Sequence, residues 1–190
     1  MGRPKAWLPL GEEVFLQRIA RILSEVVSPI VVVAAQGQEL PPLPANIEVV
    51  RDEYEQLGPL AGLAAGLAAL GDRVTAAYAT SCDVPLLQPA FVRAMLAAFE
   101  AANSRDNGCD LAIPRDDQFY HPLAAVYRTE LLGRVRALIE ARRLRPLFLV
   151  QECRSRAIST EDLRAADPDL RSLQNANTPE EYAAILSATC

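Results

Sequence analysis

An aspartate that directly follows an apolar strand candidate is the residue of this sequence best placed to do chemistry. Asp83 comes shortly after the apolar run 74–79, and Pro85 stiffens the turn that fixes its direction. A carboxylate at the carboxyl end of a buried strand lies at the edge of an α/β sheet where ligands bind. Such an oxygen can hold Mg²⁺, a hard cation that bridges substrate phosphates. The residues alone also allow a turn-capping aspartate, so both roles stay open.

Two segments carry residue types that bring a main chain close to a phosphate. Gly58 and Gly62 lie at the start of an alanine-rich helix candidate, where the lack of a Cβ atom lets a ligand approach the backbone. Tight packing of that helix on the sheet explains the same glycines equally well. Near the amino terminus, Gly2 and Lys5 form a Gly-x-x-Lys pattern, in which the lysine adds a point charge to a phosphate-binding loop.

Polar candidates also occur late in the chain. Asn175 and Asn177 precede a helix start, where an asparagine either satisfies backbone groups or offers a neutral oxygen to a metal or substrate. His121 is the only histidine and is a possible general base. A phosphate nucleophile is already an anion and needs little covalent help, so a positioning or structural role is favoured for His121.

Arg142 and Arg143 belong to the densest basic region of the sequence. Most of that region is expected to be a solvated helix face. The arginine fork also suits bidentate binding of a phosphate, so this pair is a candidate for phosphate recognition.

The segments that position these residues alternate between apolar residues at helical spacing and short continuous apolar runs. Helical spacing predicts helices within 15–26, 60–70, 91–99 and 131–139, and short apolar runs predict strands at 30–34, 47–50, 74–79, 111–113 and 123–127. This alternation predicts an α/β domain with a mainly parallel sheet. Thr178, Pro179 and Glu181 predict the start of one more helix, because a capping hydroxyl, a first-turn proline and a glutamate stand in the right order.

Length and composition narrow the class of protein. The 190 residues fit one domain, and the net charge of −5 argues against a general nucleic-acid binder. The four cysteines show no Cys-x-x-Cys pair, so a structural zinc site is not expected. No signal peptide and no apolar stretch of membrane-spanning length is visible, so we expect a soluble cytoplasmic protein without a membrane or nucleic-acid partner.

Five short motifs together resemble one known family. The segments Met-Gly-x-x-Lys, Gly-Pro-Leu-Ala-Gly, Asp-x-Pro-Leu, His-Pro-Leu and Asn-x-Asn-Thr-Pro-Glu begin at Met1, Gly58, Asp83, His121 and Asn175. In order and spacing, over nearly the whole chain, they resemble the molybdenum cofactor guanylyltransferases. The resemblance implies transfer of GMP from GTP to a molybdopterin-type cofactor with release of pyrophosphate. It also implies a Rossmann-like three-layer nucleotidyltransferase fold, of the nucleotide-diphospho-sugar transferase type, as one domain over residues 1–190.

The same resemblance assigns roles to individual residues. Asp52 falls at the family's base-contacting aspartate, which would accept hydrogen bonds from the ring N1–H and the amine of guanine. The implied set comprises Lys5 and Asp83 as catalytic residues; Lys5, Asp52, Gly58, Gly62 and Asp83 for the nucleotide; Asp83 and Asn177 for Mg²⁺; and His121, Arg142, Arg143 and Asn175 for the pterin substrate.

The chain departs from the family pattern in two places. The family's longer signature, Leu-Ala-Gly-Gly-x-Ser-x-Arg-Met-Gly-x-x-Lys, is retained only from Met1 onward. We therefore expect the family's first, central strand and most of the glycine-rich loop to be missing, which would leave an apolar slot and lower stability. The family often has asparagine where Ala34 stands, so any contact of that amide is lost.

Other functions remain open on the sequence. A cytidylyltransferase or a sugar-phosphate nucleotidyltransferase is the near alternative, and Asp52 favours guanine over both. A non-catalytic nucleotide- or pterin-binding fragment is the alternative from another class of protein. Transient contact with molybdoenzymes or other cofactor-biosynthesis proteins is a further expectation of the resemblance.

Overall fold

The computed structural model describes residues 4–54, 57–104 and 108–188. The strands are β1 (Pro9–Leu10), β2 (Glu13–Val14), β3 (Ile30–Ala34), β4 (Ile47–Arg51), β5 (Ala76–Thr80), β6 (Leu111–Arg115), β7 (Ala124–Arg128) and β8 (Ser155–Ser159). The α-helices are α1 (Phe15–Ser24), α2 (Pro59–Leu70), α3 (Pro89–Asn103), α4 (Leu132–Glu140), α5 (Pro146–Glu152), α6 (Thr160–Leu163) and α7 (Pro179–Ser187).

The strands form a short hairpin and two larger pieces of sheet. β1 pairs with β2, β3 pairs in parallel with β4, and the remaining strands follow the order β5-β7-β6-β8. β7 is antiparallel to β5 and β6, and β6 is parallel to β8, so β5, β6 and β8 share one direction. Helix α2 connects β4 to β5 and returns the chain along the sheet, as in a parallel crossover. The predicted α/β class is therefore confirmed, and the sheet is mixed, because β7 runs against both of its neighbours.

Burial follows from the position of each element between layers. β6 and β7 are almost entirely buried because they lie inside the four-stranded sheet with helices over both faces. In α1 the apolar residues recur at helical spacing and face the core, from Phe15 to Leu23. Helix α2 is rich in alanine, glycine and leucine, and it packs between β3 and α4.

Most predicted elements are confirmed, and the missed ones either have little apolar character or are short. The strand predicted at 30–34 coincides with β3, and the strand predicted at 74–79 begins two residues later as β5. Strand β8 was missed because its sequence, Ser-Arg-Ala-Ile-Ser, has little apolar character. Its pairing with β6 over five residues forms it instead. The β1–β2 hairpin and α5 were missed for a different reason, because two-residue strands and a seven-residue helix are too short to show a clear period.

A cavity of about 640 Å³ separates β3 from β5. Its walls come from these two strands and from apolar residues of α1, α2 and α3. We call this space the β3–β5 cleft. In the described parts of the chain, no strand ladder crosses it.

No helix in residues 4–54, 57–104 and 108–188 is both long enough and apolar enough to cross a lipid bilayer.

Candidate functional site

Three residues far apart in sequence meet at the carboxyl end of β5. The Lys5 ammonium donates a hydrogen bond to Asp83 Oδ2 at 2.8 Å and another to Asn177 Oδ1 at 2.5 Å. The side chain of Asp83 is 15% exposed and that of Lys5 is 33% exposed, so the pair lies at the surface but is partly shielded. The structure thus brings together the two predicted catalytic residues and both predicted metal ligands.

The turn after β5 fixes the orientation of Asp83. The Ser81 hydroxyl donates a hydrogen bond to Asp83 Oδ1, and the Asp83 carbonyl accepts one from the Ala176 amide at 2.8 Å. The next proline also takes part, because the Pro85 carbonyl accepts a hydrogen bond from Arg18 Nε at 2.9 Å. These contacts hold the carboxylate in place while leaving it available at the sheet edge.

Helix α7 positions Asn177 through its amino-terminal cap. The Thr178 hydroxyl accepts a hydrogen bond from the Glu181 amide at 3.2 Å. Glu181 Oε2 in return accepts from the amides of Thr178 at 2.9 Å and Asn177 at 2.7 Å. The predicted capping box is therefore confirmed, and it also holds the backbone of the predicted metal ligand.

A hydrophobic cluster beneath the site joins the segments that carry its three residues. Phe15 forms an edge-to-face contact with Tyr182 of α7, with ring centroids 5.7 Å apart. The Tyr182 hydroxyl donates to the Pro9 carbonyl at 2.7 Å. The buried members of the cluster are Leu8, Leu10, Phe15, Leu86, Ala176 and Ile185. Because they come from the amino-terminal segment, the Asp83 turn and the α7 region, their packing sets the geometry of the site.

Replacing Thr178 with alanine is expected to cost about 1 kcal/mol of unfolding free energy, because it removes the helix cap. Urea denaturation followed by circular dichroism measures this loss. Ser187→Ala, at the exposed end of the same helix, is the matched control and should change stability by less than about 0.5 kcal/mol. Equal effects of the two substitutions would contradict the role of the cap.

The predicted nucleotide-binding residues Asp52, Gly58 and Gly62 lie along one side of the β3–β5 cleft. The Asp52 amide donates to the Ala34 carbonyl at 2.8 Å, and Asp52 Oδ1 accepts from the Tyr54 amide at 2.8 Å. Gly58 begins α2 with a φ of +74°, a conformation that favours glycine. A Cβ atom added at Gly62 would meet nothing within 4 Å, so close packing does not explain this glycine.

The opposite wall of the same cleft ends at Ser81 and Cys82, next to Asp83. Asp52, Gly58 and Gly62 therefore line the same cleft as the two residues that precede Asp83. Cys82 contributes no thiolate there, because burial and then the neighbouring Asp83 charge raise the pKa of its thiol.

His121 is held by a carboxylate in the loop between β6 and β7. Its Nε2 lies 2.9 Å from Asp116 Oδ2, and its amide donates to the Pro114 carbonyl at 2.9 Å. The amides of Phe119 and Gln118 donate to Asp116 Oδ1, and these bonds, with the His121 contact, lower the Asp116 pKa. These contacts agree with a positioning or structural role for His121.

The other predicted substrate residues lie outside the Lys5–Asp83–Asn177 cluster. Arg143 forms an ion pair with Glu152 and lies over the Phe148 ring at 4.3 Å from its centroid. Arg142 follows α4 with a φ of +56°. Asn175 is exposed, one residue before the buried Ala176. The pterin role of these residues stays a prediction.

Sequence reasoning missed the supporting contacts of the site. Ser81 lies two residues before Asp83, a spacing at which a hydroxyl commonly bonds a neighbouring carboxylate or backbone group. That signal was available in the sequence. The bond from the Ala176 amide to the Asp83 carbonyl joins residues 93 positions apart and has no local signal.

The oxygen atoms of the cluster fit a hard divalent cation. A carboxylate oxygen of Asp83 and an amide oxygen of Asn177 converge on a cationic group, the Lys5 ammonium. Such oxygens are the ligands that Mg²⁺ takes, together with waters and substrate phosphates. Within the described residues no group of three or more His, Cys, Asp or Glu side chains forms a metal cage. The site therefore suits a cation that arrives with a phosphorylated substrate.

Comparisons with known proteins agree with this geometry. Residues 1–156 match the family described as "MobA-like NTP transferase domain". A protein of Mycobacterium tuberculosis strain H37Rv, described as "Probable molybdenum cofactor guanylyltransferase", is 34% identical over 181 residues. The match covers 94% of this chain and 83% of the relative.

Two solved structures are similar in fold. Molybdopterin-guanine dinucleotide biosynthesis protein A from Archaeoglobus fulgidus superposes with a TM-score of 0.77 at 20% identity, covering 98% of this chain and 91% of that one. A Mycobacterium tuberculosis protein solved in complex with manganese has a TM-score of 0.63 at 15% identity, covering 98% and 93% of the two chains. The shared fold is that of nucleotidyltransferases.

Proposed function

Because this chain belongs to the MobA-like NTP transferase domain family, we propose that it transfers GMP from GTP to a molybdopterin-type cofactor and releases pyrophosphate. The observation that carries the proposal is the convergence of Lys5, Asp83 and Asn177 at the carboxyl end of β5. This is the edge of an α/β sheet at which nucleotides bind. We infer the two substrates from the names of the relatives, and the charges and oxygen ligands of the cluster suit phosphate transfer.

In this reaction a terminal phosphate oxygen of the pterin cofactor attacks the α-phosphorus of GTP. A new P–O bond forms, the bond to the oxygen that bridges the α- and β-phosphates breaks, and pyrophosphate leaves. No proton need be removed from the attacking phosphate, so positioning and charge neutralisation account for most of the catalysis. This requirement agrees with a site that has cationic and oxygen-ligand groups but no activated nucleophile.

We assign metal binding to two residues of the cluster and phosphate binding to the third. Asp83 and Asn177 would hold Mg²⁺, which when bound neutralises phosphate charge. Lys5 would then turn its ammonium from these two oxygens toward the phosphates, where it is attracted by a larger negative charge. The Ser81 hydroxyl and the Ala176 amide keep Asp83 oriented during that exchange.

Asp52 is the residue that we propose to select guanine. Its Oδ1 is already oriented by the Tyr54 amide, and a carboxylate can still accept the two donors on the guanine edge. Cytosine and adenine lack that pair of donors, so they would leave the carboxylate poorly satisfied. Gly58 and Gly62 leave room beside it for the nucleoside.

We propose that the pterin phosphate binds near residues 141–145 and the loop that carries His121. Arg142 and Arg143 follow α4, which packs against α2. The Arg143 guanidinium is paired with Glu152, so it would have to leave that partner to bind a phosphate. The loop with His121 follows the carboxyl end of β6. Asn175 completes the proposed set.

The proposal is tested by incubating the purified chain with molybdopterin cofactor, Mg²⁺ and equal GTP and CTP. We expect pyrophosphate release and a guanine dinucleotide, with GTP preferred at least tenfold. Asp52→Asn should reduce that preference, because an amide replaces one acceptor oxygen with a donor. Chromatography of the products with mass detection identifies the nucleotide transferred.

The matched control is Glu48→Gln, which changes an exposed carboxylate on β4, the strand that ends just before Asp52. It should leave the GTP preference unchanged. A cytosine dinucleotide as the main product would overturn the choice of guanine. Absence of any dinucleotide or pyrophosphate from a folded chain would overturn the transferase activity of the chain itself.

A further inference from the structure

The four-stranded piece of sheet ends in a strand with one unpaired side. β8 pairs in parallel with β6 and with no other strand of the described part of the chain. Arg156, Ala157 and Ser159 of this five-residue strand are exposed. Unpaired N–H and C=O groups along a strand are a template for another strand. The outer side of β8, which we call the β8 edge, is therefore a candidate surface for pairing with a second polypeptide.

The hydrogen bonds of β6 determine which backbone groups of β8 point outward. The Pro114 carbonyl accepts a hydrogen bond from the His121 amide on the β7 side, so the neighbouring Ile113 bonds to β8. Ile113 is in register with Ala157, and a residue in a parallel pair bonds to the two residues that flank its partner. Those two flanking residues therefore point inward. The N–H and C=O groups of Ala157 point outward, and those of Ser159 follow the same alternation.

The two ends of β8 carry opposite charges that have no partner. Arg156 lies in the strand, and Asp162 lies in the first turn of α6, which follows it. Both residues are exposed, and neither side chain forms an ion pair or a hydrogen bond within the residues that the structure describes. In an antiparallel pair of two β8 strands, the basic end of each strand lies beside the acidic end of the other. Opposite charges placed across two strands stabilise their pairing.

The outer strand of the other piece of sheet, β4, lacks this pattern. Its Glu48 carboxylate forms an ion pair with Arg73 at 2.8 Å. The Arg51 guanidinium donates hydrogen bonds to the carbonyls of Ala35 and Gln38 at 3.0 and 2.7 Å. The charges of β4 are therefore satisfied within the chain, whereas Arg156 and Asp162 at the β8 edge are left for a partner.

We propose that two copies of this chain associate by antiparallel pairing of their β8 strands about a two-fold axis. The outward backbone groups of Ala157 and Ser159 bond to the strand of the partner copy. Arg156 of each copy forms an ion pair with the partner's Asp162. Because the same edge serves both copies, the interface is closed and the assembly stops at a dimer. The two four-stranded pieces then form one eight-stranded sheet.

The β8 edge is separate from the proposed chemistry. In the order β5-β7-β6-β8 it lies three strands from β5, which is about 14 Å at the usual spacing of strands. Neither Arg156 nor Asp162 has a role in the transfer of GMP. The association is therefore expected with or without GTP, and its test does not depend on the transferase activity.

Sedimentation velocity of the unchanged chain over about 1–100 μM measures this association. We expect a shift from monomer to dimer as the concentration rises. Ala157→Pro removes one outward N–H group and should weaken the dimer at least tenfold. Proline is tolerated in an edge strand where its missing N–H would face solvent, so the monomer should still fold, which circular dichroism verifies.

Val49→Pro on β4 is the matched control. The Asp52 amide donates to the Ala34 carbonyl of β3, so Val49, three residues earlier, has its N–H on the outer side of β4. This variant also removes an outward N–H group from an exposed residue of an edge strand. It should leave the dimer within twofold of the unchanged chain.

Reversal of the two charges tests the predicted ion pair. Arg156→Asp and Asp162→Arg each place like charges together at both ends of the paired strands, and each should weaken the dimer at least tenfold. The double variant restores opposite charges and should return to within threefold of the unchanged chain. An effect on folding alone would not give this recovery.

Hydrogen exchange gives a readout on the unchanged chain. Raising the protein concentration should slow exchange at the amides of Ala157 and Ser159 and leave that of Val49 unaltered. A monomer at every concentration, or a dimer that Ala157→Pro leaves unchanged, would overturn the proposal. Loss of the dimer in Val49→Pro would place the interface on β4 instead. A double variant that does not recover would contradict the pairing of Arg156 with Asp162.

Discussion

Asp83→Asn is expected to lower the rate of GMP transfer by about 10²–10³-fold, the effect typical of losing one group that stabilises transition-state charge. Asparagine keeps the size of the side chain but removes its negative charge. The Lys5 ammonium then loses its ion-pair partner, and a divalent cation loses its carboxylate ligand. The hydrogen bond from the Ala176 amide is made to the Asp83 carbonyl, so the backbone of the turn should persist.

Two measurements separate a role in catalysis from a role in folding. Initial rates of pyrophosphate release report on catalysis, and electron paramagnetic resonance of Mn²⁺ reports on metal binding without any turnover. We expect Asp83→Asn to weaken Mn²⁺ binding in the presence of GTP while the chain still folds. Asp72→Asn, an exposed aspartate before the amino end of β5, is the matched control and should change neither quantity.

A full rate with unchanged Mn²⁺ affinity in Asp83→Asn would contradict the proposed metal ligand. A lower rate with unchanged Mn²⁺ affinity would instead limit Asp83 to holding Lys5. The two outcomes are distinguished by the rate, because Mn²⁺ affinity is unchanged in both and the rate falls only in the second.

Phe15→Ala is expected to reduce the free energy of unfolding by about 3–5 kcal/mol, the usual cost of removing a buried aromatic ring. Phe15 is 0% exposed and lies in the hydrophobic cluster beneath the site. The substitution leaves a cavity and removes the edge-to-face contact with Tyr182. Since this cluster joins the segments of Lys5, Asp83 and Asn177, the loss should also loosen the candidate site.

Urea denaturation measures the effect of Phe15→Ala. The midpoint should move to a lower urea concentration, while the slope of unfolding free energy against urea stays similar. The control makes the same chemical change at the surface. Phe119 is 65% exposed, so Phe119→Ala should alter stability by less than about 0.5 kcal/mol. Similar losses in the two variants would show that the cluster beneath the site does not anchor the amino-terminal segment.

Local patterns predicted the elements whose stability comes from their own period or caps. The run of β-branched residues at 30–34 became β3 without a shift, because a buried parallel strand needs apolar residues at every position. The cap at Thr178 and Glu181 formed as expected, since its donors and acceptors are three residues apart. Asp83 could be placed at a sheet edge because it follows such a strand.

Resemblance to a family added what local patterns could not. Considered alone, Lys5 is a polar residue of the amino-terminal segment and Asn177 is a residue before a helix. The ordered motifs assigned both to one site, and the structure brings both within hydrogen-bond distance of each other. The match of residues 1–156 to a nucleotidyltransferase family confirms that the order of the motifs was informative.

Long-range contacts decided the remaining features. Strand β8 exists because the edge of β6 was available to it, although its own residues carry little β signal. Arg143 lies on Phe148 and pairs with Glu152. The charge pattern of the sequence could not predict which of several nearby arginines makes these contacts.

The features that the sequence predicted differ from those that only the structure decided for one physical reason. Helix caps, apolar periods and turns depend on residues within a few positions of each other, so the order of amino acids is sufficient to predict them. The Lys5–Asn177 bond spans 172 positions, and its geometry depends on the packing of every element between them. The amino-acid order therefore identified which side chains could act together, and only the packed layers placed their atoms within reach.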